Sequence, residues 1–454
     1  MDRIISVNDA VLQIINFVSL QELKHMDAAS FQQFMESSGS SDQFAGQLYK
    51  RSEYIYHLGN KEQHLLYNTL YNALVRLSDE EYNEFIAEHT DNTTLRSGLI
   101  ENGFWVPKDL DEREKYLQVA ELLTRHLKRP ANYTITTTLR CNARCCYCYE
   151  AGVSQHDFSP EKAERLIEFI KSRDCSYGVH LNWFGGEPLM NSSLIDYVSE
   201  KLYEEGIPYS AYIITNGSLL DDEMIESKLE KWHLHDMQIT IDGTREEYKK
   251  RKNYLNEDDG DYDRLFYRIS QAAKKGVYIH IRLNIDRENI QDIYSLIKNL
   301  EQAFGEYNNI VFYPAFITGC EKKLSDEECV EIVYQLLKQM KDIRKLTTGR
   351  KLYAYPKIHA CMKEDPNSFS VDVSGEIYNC EHLVGRPAHR IGTIEQGLFA
   401  PDSRTTRSLL RNECFSCVFL PKCMGGCAAS YQEHDSACMI DKYLIMAYLR
   451  LLLM

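Results

Sequence analysis

Long apolar runs are missing from this chain of 454 residues. The opening stretch MDRIISVNDAVLQIINFVSLQELK is interrupted by Asp2, Asn8, Asp9 and Gln13, so it lacks the continuous apolar centre of a secretory signal. The terminal run YLIMAYLRLLLM has 12 residues, too few to cross a bilayer, and reads as a core-packing C-terminal helix. No basic cluster stands out to draw a nucleic acid either. With a formal net charge of −15, a phosphate backbone would be repelled, which excludes a nucleic-acid partner. No low-complexity tract occurs, and 44% hydrophobic with 26% charged residues is a globular composition. These absences predict a cytoplasmic protein with no membrane partner, and 454 residues, too many for one ordinary core, predict two to four domains. Cysteine is what the chain has in plenty. Fourteen of them in such a setting argue for metal or redox chemistry rather than a disulfide framework.

Three cysteines, Cys141, Cys145 and Cys148, stand at C-x3-C-x2-C spacing in TLRCNARCCYCYE, directly after a strand-like run. Three thiolates on one short loop can hold three irons of a [4Fe–4S] cube and leave the fourth iron open to chemistry. A structural zinc site is the alternative, but zinc normally takes four ligands from paired knuckles, and this loop has no matching pair nearby. The loop resembles the cluster-binding loop of the radical SAM superfamily, in which an aromatic residue, here Tyr147, precedes the third cysteine. That resemblance implies that S-adenosylmethionine (SAM) binds the open iron and yields a 5′-deoxyadenosyl radical.

From about 131 to 315, strand-like runs alternate with amphipathic helical ones. The strands read as Tyr133–Thr138, Val179–Phe184, Ala211–Thr215, Met237–Ile241, Tyr278–Leu283 and Ile310–Ala315. Six β–α repeats predict an α/β fold, a parallel sheet curled into a partial (β/α)6 barrel of TIM type. Chemistry in such barrels sits on loops after the strands. Those loops carry the cysteine triplet, then Gly185-Gly186-Glu187-Pro188, Thr215-Asn216-Gly217 and Asp242-Gly243, with Arg282 and Asn284 near the end of the fifth strand. Each pair alone could be a plain turn former. Alongside the cysteine loop, the GGEP run resembles the family motif that contacts the amino group of SAM. Arg282 would pair with its carboxylate, and Thr215, Asn216 and Asp242 would neighbour its ribose and methionine ends.

Upstream, Tyr54–His57, His64–Tyr67 and Ala73–Leu77 read as strands, followed by helices Asp79–Glu88 and Thr94–Glu101. Strands then helices in about 60 residues resemble the winged-helix-like recognition domain fused to maturases of ribosomally made peptides, which binds a leader peptide along a sheet edge. Downstream, Cys361 is followed by Cys380, then by Cys414-x2-Cys417-x5-Cys423-x3-Cys427 and Cys438. This array resembles the SPASM domain, which holds two further [4Fe–4S] clusters. A zinc ribbon of Cys414, Cys417, Cys423 and Cys427 would leave three cysteines unexplained. Family ligand sharing implies one auxiliary cluster on Cys361, Cys380 and Cys427, and another on Cys414, Cys417, Cys423 and Cys438. The first set is one thiolate short, since 362–379 contains no cysteine. Cys320 could complete it, while Cys146, Cys175 and Cys329 read as free thiols. Glu381 stands where sulfatase-maturing relatives carry an acidic base.

The expected division is 1–45, a helical extension; 46–127, the recognition domain; 128–317, the barrel; 318–360, a bridge; and 361–454, the SPASM domain. The resemblance implies SAM and three [4Fe–4S] clusters as cofactors, a precursor peptide as substrate, and a reductase, flavodoxin or ferredoxin as electron donor. The expected reaction is a thioether crosslink from a peptide cysteine to a carbon of another residue, as in ranthipeptide and sactipeptide maturases. Formylglycine formation in sulfatases, carbon–carbon crosslinking of a peptide, dehydrogenation of small alcohols and a non-enzymatic electron carrier are the alternatives.

Overall fold

The computed structural model describes residues 48–60, 62–126, 128–148, 150, 152, 154–317, 324–347, 356–358, 361–400, 410–427 and 440–454. The expected extension 1–45, Cys320 and Cys438 lie outside them. The chain packs as two compact units, one of 1–127, 353–366 and 404–454, the other of 128–352 and 367–403. Residues 361–454, expected as a single segment, are shared between the two.

In the first unit, β1 (Tyr49–Arg51) pairs antiparallel with β5 (Trp105–Pro107), and β2 (Ile55–Gly59), β3 (Gln63–Asn68) and β4 (Ala73–Ser78) form an antiparallel sheet with β3 central. A capping box, with Ser78 accepting from Glu81 N and the Glu81 carboxylate accepting from Ser78 N, starts the helix Asp79–Ile86 at the end of β4. Leu66, Leu77, Phe85, Leu99, Phe104 and Trp105 close one core. A second core joins Tyr67 to Phe419, Ile445 and Leu449. The helix Ile440–Leu452 therefore packs as its sequence suggested. Among the described residues no helix is long and apolar enough to cross a membrane.

The second unit holds one ten-stranded sheet. Its parallel part runs β6 (Ala131–Thr138), β7 (Val179–Gly185), β8 (Tyr209–Thr215), β9 (Leu234–Thr240), β10 (Tyr278–Ile285) and β11 (Ile310–Phe316), in spatial order 6-7-8-9-10-11. This is the large parallel sheet of a partial TIM-type fold. The crossover helices form because their sequences stripe. In Pro160–Lys171, Ser159 caps the first turn, proline opens it, and Ala163, Leu166, Ile167 and Ile170 are buried. Beyond β6 the sheet continues with β12 (Ser368–Val371), β13 (Glu376–Tyr378), β14 (Arg390–Thr393) and β15 (Gly397–Leu398). β12 pairs parallel with β6 and so covers what would be a bare sheet edge. Phe369 on β12 stacks on Tyr133 of β6, with ring centroids 5.5 Å apart.

Candidate active site

The cysteine loop leaves β6 and is gripped from several strand ends. Gly186 N donates to Thr138 O at 3.0 Å and Glu187 N to Arg140 O at 2.8 Å, so the loop after β7 is bonded to the residues just before Cys141. A methyl group on Gly186 would stand 2.3 Å from Arg140 O, which is why the position needs glycine. On the other side, Arg144 N donates to Lys252 O and Asn253 O, both at 3.0 Å, and Cys146 N donates to Arg251 O at 3.1 Å. Asn142 receives a hydrogen bond from the Asn216 amide at 2.8 Å and gives one to Ser218 Oγ at 2.8 Å. The three thiols thus sit on a short segment whose backbone is fixed by the ends of β7 and β8 and by the chain after β9.

Burial pushes the Cys141 thiol up to about 11, against the N–H of Ala143, with Glu187, Cys145 and Cys148 raising it further. Burial also raises Cys148 and Cys146. Thiols in this state need a cation before they can ionise together. Among the described residues no three His, Cys, Asp or Glu side chains converge on one point, as a single-ion site would require. A cubane asks each thiolate for a different iron. The chemistry and rigid backbone of this donor set fit such a cluster.

The Glu187 carboxylate has no exposed surface and accepts from Thr215 Oγ1 at 2.6 Å, Asn216 N at 2.8 Å and Leu189 N at 3.1 Å. Burial raises this carboxyl, and those three hydrogen bonds oppose the rise. These three hydrogen bonds tie the β7 end to the β8 end. Tyr147 OH donates to Asp242 Oδ2 at 2.5 Å. Asp242 is fully buried and its other oxygen, Oδ1, has no partner. Arg282 Nε donates to Asn284 Oδ1 at 2.8 Å.

Along β6–β11 one face is packed under the helices, with Leu181, Trp183, Ile213, Ile239, Ile281 and Leu283 buried. The other face is polar. Tyr212 OH donates to Gln238 Oε1 at 3.1 Å, Tyr313 OH donates to the same oxygen, and Asn182 Nδ2 reaches Thr134 Oγ1 at 3.4 Å. Closed TIM barrels fill this space with branched aliphatic layers. Here Asn182, Tyr212, Arg282 and Tyr313 are only partly buried, so this face of the sheet is lined by polar side chains. Glu381 is close enough to Tyr212 to add to the rise that burial and Tyr313 impose on its phenol.

Cys414 and Cys380 are buried, and Cys361, Cys417, Cys423 and Cys427 partly so. Cys361 and the Cys414–Cys427 series lie in the first unit and Cys380 in the second. Met424, Gly425 and Gly426 have φ of 52°, 97° and 80°, a left-handed run that turns the chain between Cys423 and Cys427. Reading the sequence missed Lys252 and Asn289. Lys252 hides in a run of four basic residues, Lys249 to Lys252, that reads as a solvated helix end. Asn289 is fully buried and donates to Asp242 O at 2.9 Å and Asn284 O at 2.8 Å, joining two strand ends across 47 residues of sequence.

Residues 135–300 match the family model of the Radical SAM superfamily. The chain is 28% identical over 195 residues to an Fe-coproporphyrin III synthase of Methanosarcina barkeri, a match spanning 42% of this chain and 45% of that protein. It is 24% identical over 335 residues to a serine-type anaerobic sulfatase-maturating enzyme of Bacteroides thetaiotaomicron, covering 63% and 80% of the two chains. A radical SAM cyclopropyl synthase of Paramaledivibacter caminithermalis is 21% identical over 453 residues, covering 90% and 88%. Among solved structures, native anSMEcpe with bound AdoMet and Cp18Cys peptide superposes with a TM-score of 0.53 at 16% identity, over 70% of this chain and 95% of that one. That likeness is one of fold.

Proposed function

We propose that this chain, whose residues 135–300 match the Radical SAM superfamily model, is a cytoplasmic peptide maturase that joins a cysteine of a ribosomally made precursor to a carbon of another residue by a thioether. The observation that carries it is the triplet of Cys141, Cys145 and Cys148 pinned at the ends of strands whose second face carries polar side chains. Cys141, Cys145 and Cys148 would hold a [4Fe–4S] cluster. The Gly185–Pro188 backbone, Thr215, Asn216, Asp242, Arg282 and Asn284 would surround SAM. With both bound, the site is supplied with a 5′-deoxyadenosyl radical able to remove hydrogen from carbon. The protein's own part is placement: Glu187 and Asn289 keep the strand ends in register, and Tyr212, Gln238 and Tyr313 would offer hydrogen bonds to a peptide on the polar sheet face.

Cys361, Cys380 and Cys427 would hold one auxiliary cluster, and Cys414, Cys417, Cys423 and Cys438 another; these would take the electron released as the carbon radical joins the sulfur, while a reductase, flavodoxin or ferredoxin would supply the electron for SAM cleavage. A soft, anionic substrate thiolate would suit the iron that the three-cysteine set leaves without a protein ligand. β4 is an outer strand of its sheet with Leu74 40% exposed, and would take the leader as an added strand. Formylglycine formation is the second reading, favoured by the nearness of Glu381 to Tyr212 of the polar sheet face, where it could accept a proton.

Anaerobic reconstitution tests the proposal. The protein should take up about twelve irons, and replacing Cys141, Cys145 and Cys148 by Ala should remove about four of them and all SAM cleavage. Zinc uptake with no iron–sulfur absorption would sink the reading. A product short of two hydrogens whose cysteine resists alkylation supports the thioether, whereas a hydrazine-reactive aldehyde supports formylglycine.

A further inference from the structure

We infer that Lys252 is a positioning residue, the centre of a buried latch with Asp242 and Tyr147 that shapes the cysteine loop before any cluster is present. The inference rests on the reading of Cys141, Cys145 and Cys148 as cluster ligands. Lys252 ends the helix Arg245–Lys252 and is only 3% exposed. Its Nζ donates to Tyr147 OH at 3.0 Å and stands 3.4 Å from Asp242 Oδ2. Tyr147 OH donates to that same oxygen. Tyr147 lies between Cys145 and Cys148 in sequence, so whatever holds its ring holds the segment that presents both thiols.

The backbone around Lys252 makes the same attachment a second time. Asn253 adopts a left-handed conformation, φ 47°, which ends the helix and turns the chain along the cysteine loop. There Lys252 O and Asn253 O accept from Arg144 N, and Leu255 N donates to Asn142 O at 2.9 Å. The preceding Arg251, 2% exposed, accepts from Cys146 N through its carbonyl, and its guanidinium is bonded to Asp286 with Nη2 2.5 Å from Oδ2. Two donors from separate elements, Lys252 Nζ and Tyr147 OH, thus meet at one buried oxygen of Asp242.

A plain core ion pair would neutralise Asp242 without affecting the loop, and the two cases separate by experiment. Metal-free protein is compared with Lys252→Arg, Lys252→Met and the double variant Lys252→Met/Asp242→Asn, which strands no charge and so guards against simple misfolding. Amide exchange at Arg144 and Cys146 and iodoacetamide alkylation of Cys145 and Cys148 are followed by mass spectrometry, and iron uptake is then measured with ferrous iron and sulfide. The latch predicts exchange and alkylation faster by about tenfold or more in Lys252→Met, slower iron uptake, and near-native behaviour of Lys252→Arg. The folded double variant should stay loose. Native exchange and alkylation in that double variant would overturn the latch. Wild-type protein that takes up no iron, with the exchange pattern as expected, would support the latch and defeat the cluster reading.

Discussion

Replacing Gly186 by Ala tests how the cysteine loop is placed. The new methyl would lie 2.3 Å from Arg140 O, 2.7 Å from Arg140 C and 3.0 Å from Leu139 O. All three are backbone atoms, so no side chain can swing aside. Restoring ordinary van der Waals separation requires the two backbone segments to part by about 1 Å. That separation breaks the hydrogen bond from Glu187 N to Arg140 O and stretches the one from Gly186 N to Thr138 O. Overpacking costs about 1–3 kcal/mol and the two weakened hydrogen bonds about 1 kcal/mol each, a sum of about 3–5 kcal/mol. At about 2–3 °C per kcal/mol, the unfolding temperature of the barrel unit should fall by about 6–15 °C. Gly98→Ala is the control. A methyl there meets nothing within 4 Å, and the position is inside the helix Thr93–Glu101, so stability should rise by about 0.5–1 kcal/mol. Calorimetry of the metal-free proteins gives both shifts, and iron content after reconstitution should drop by about four per chain for Gly186→Ala only. An unchanged transition and full iron in Gly186→Ala would refute the claim that this backbone contact sets the loop.

Two further outcomes follow from buried groups in the first unit. Glu112 is 1% exposed, accepts from Ser52 Oγ at 2.8 Å and Glu53 N at 2.9 Å, and burial pushes its carboxyl up to about 7, those hydrogen bonds opposing. Because the folded value lies above the unfolded one, its stabilisation is complete below about pH 4.5 and is lost as pH rises through about 7, a change of about 3 kcal/mol. Denaturant titrations from pH 4.5 to 8 should show that fall in wild type and not in Glu112→Gln; parallel profiles would exclude Glu112 as its source. Tyr116 OH donates to Lys357 O at 2.5 Å beside Pro421 O at 3.3 Å, tying the helix Glu112–His126 to the segment before Cys423. Tyr116→Phe should cost about 1–2 kcal/mol in unfolding of this unit, and no loss would mean that the bond is replaced when the hydroxyl goes.

The six strand and helix repeats of the barrel were legible because both periods are written locally. Alternating residues such as Leu181 and Trp183 bury one strand face, and the stripe Ala163, Leu166, Ile167, Ile170 buries one helix face. The cysteine triplet and the Gly-Gly-Glu-Pro run were legible too, since loop ligands and tight turns depend on neighbours in sequence. Partners distant in sequence were not. That the Glu187 carboxylate accepts from Thr215 and Asn216 at the next strand end could not be read from its neighbours in sequence. Lys252 looked like one solvated cation among four and is buried because Asp242 and Tyr147, 10 and 105 residues away, converge on it. The short strands β12–β15 carry too few residues to show a period, and β12 is a strand because β6 presents a free edge to it. The sequence by itself determined which residue types were available at each strand end. Only the tertiary structure decided which charges would be buried together, because burial and charge compensation belong to groups that folding brings into contact.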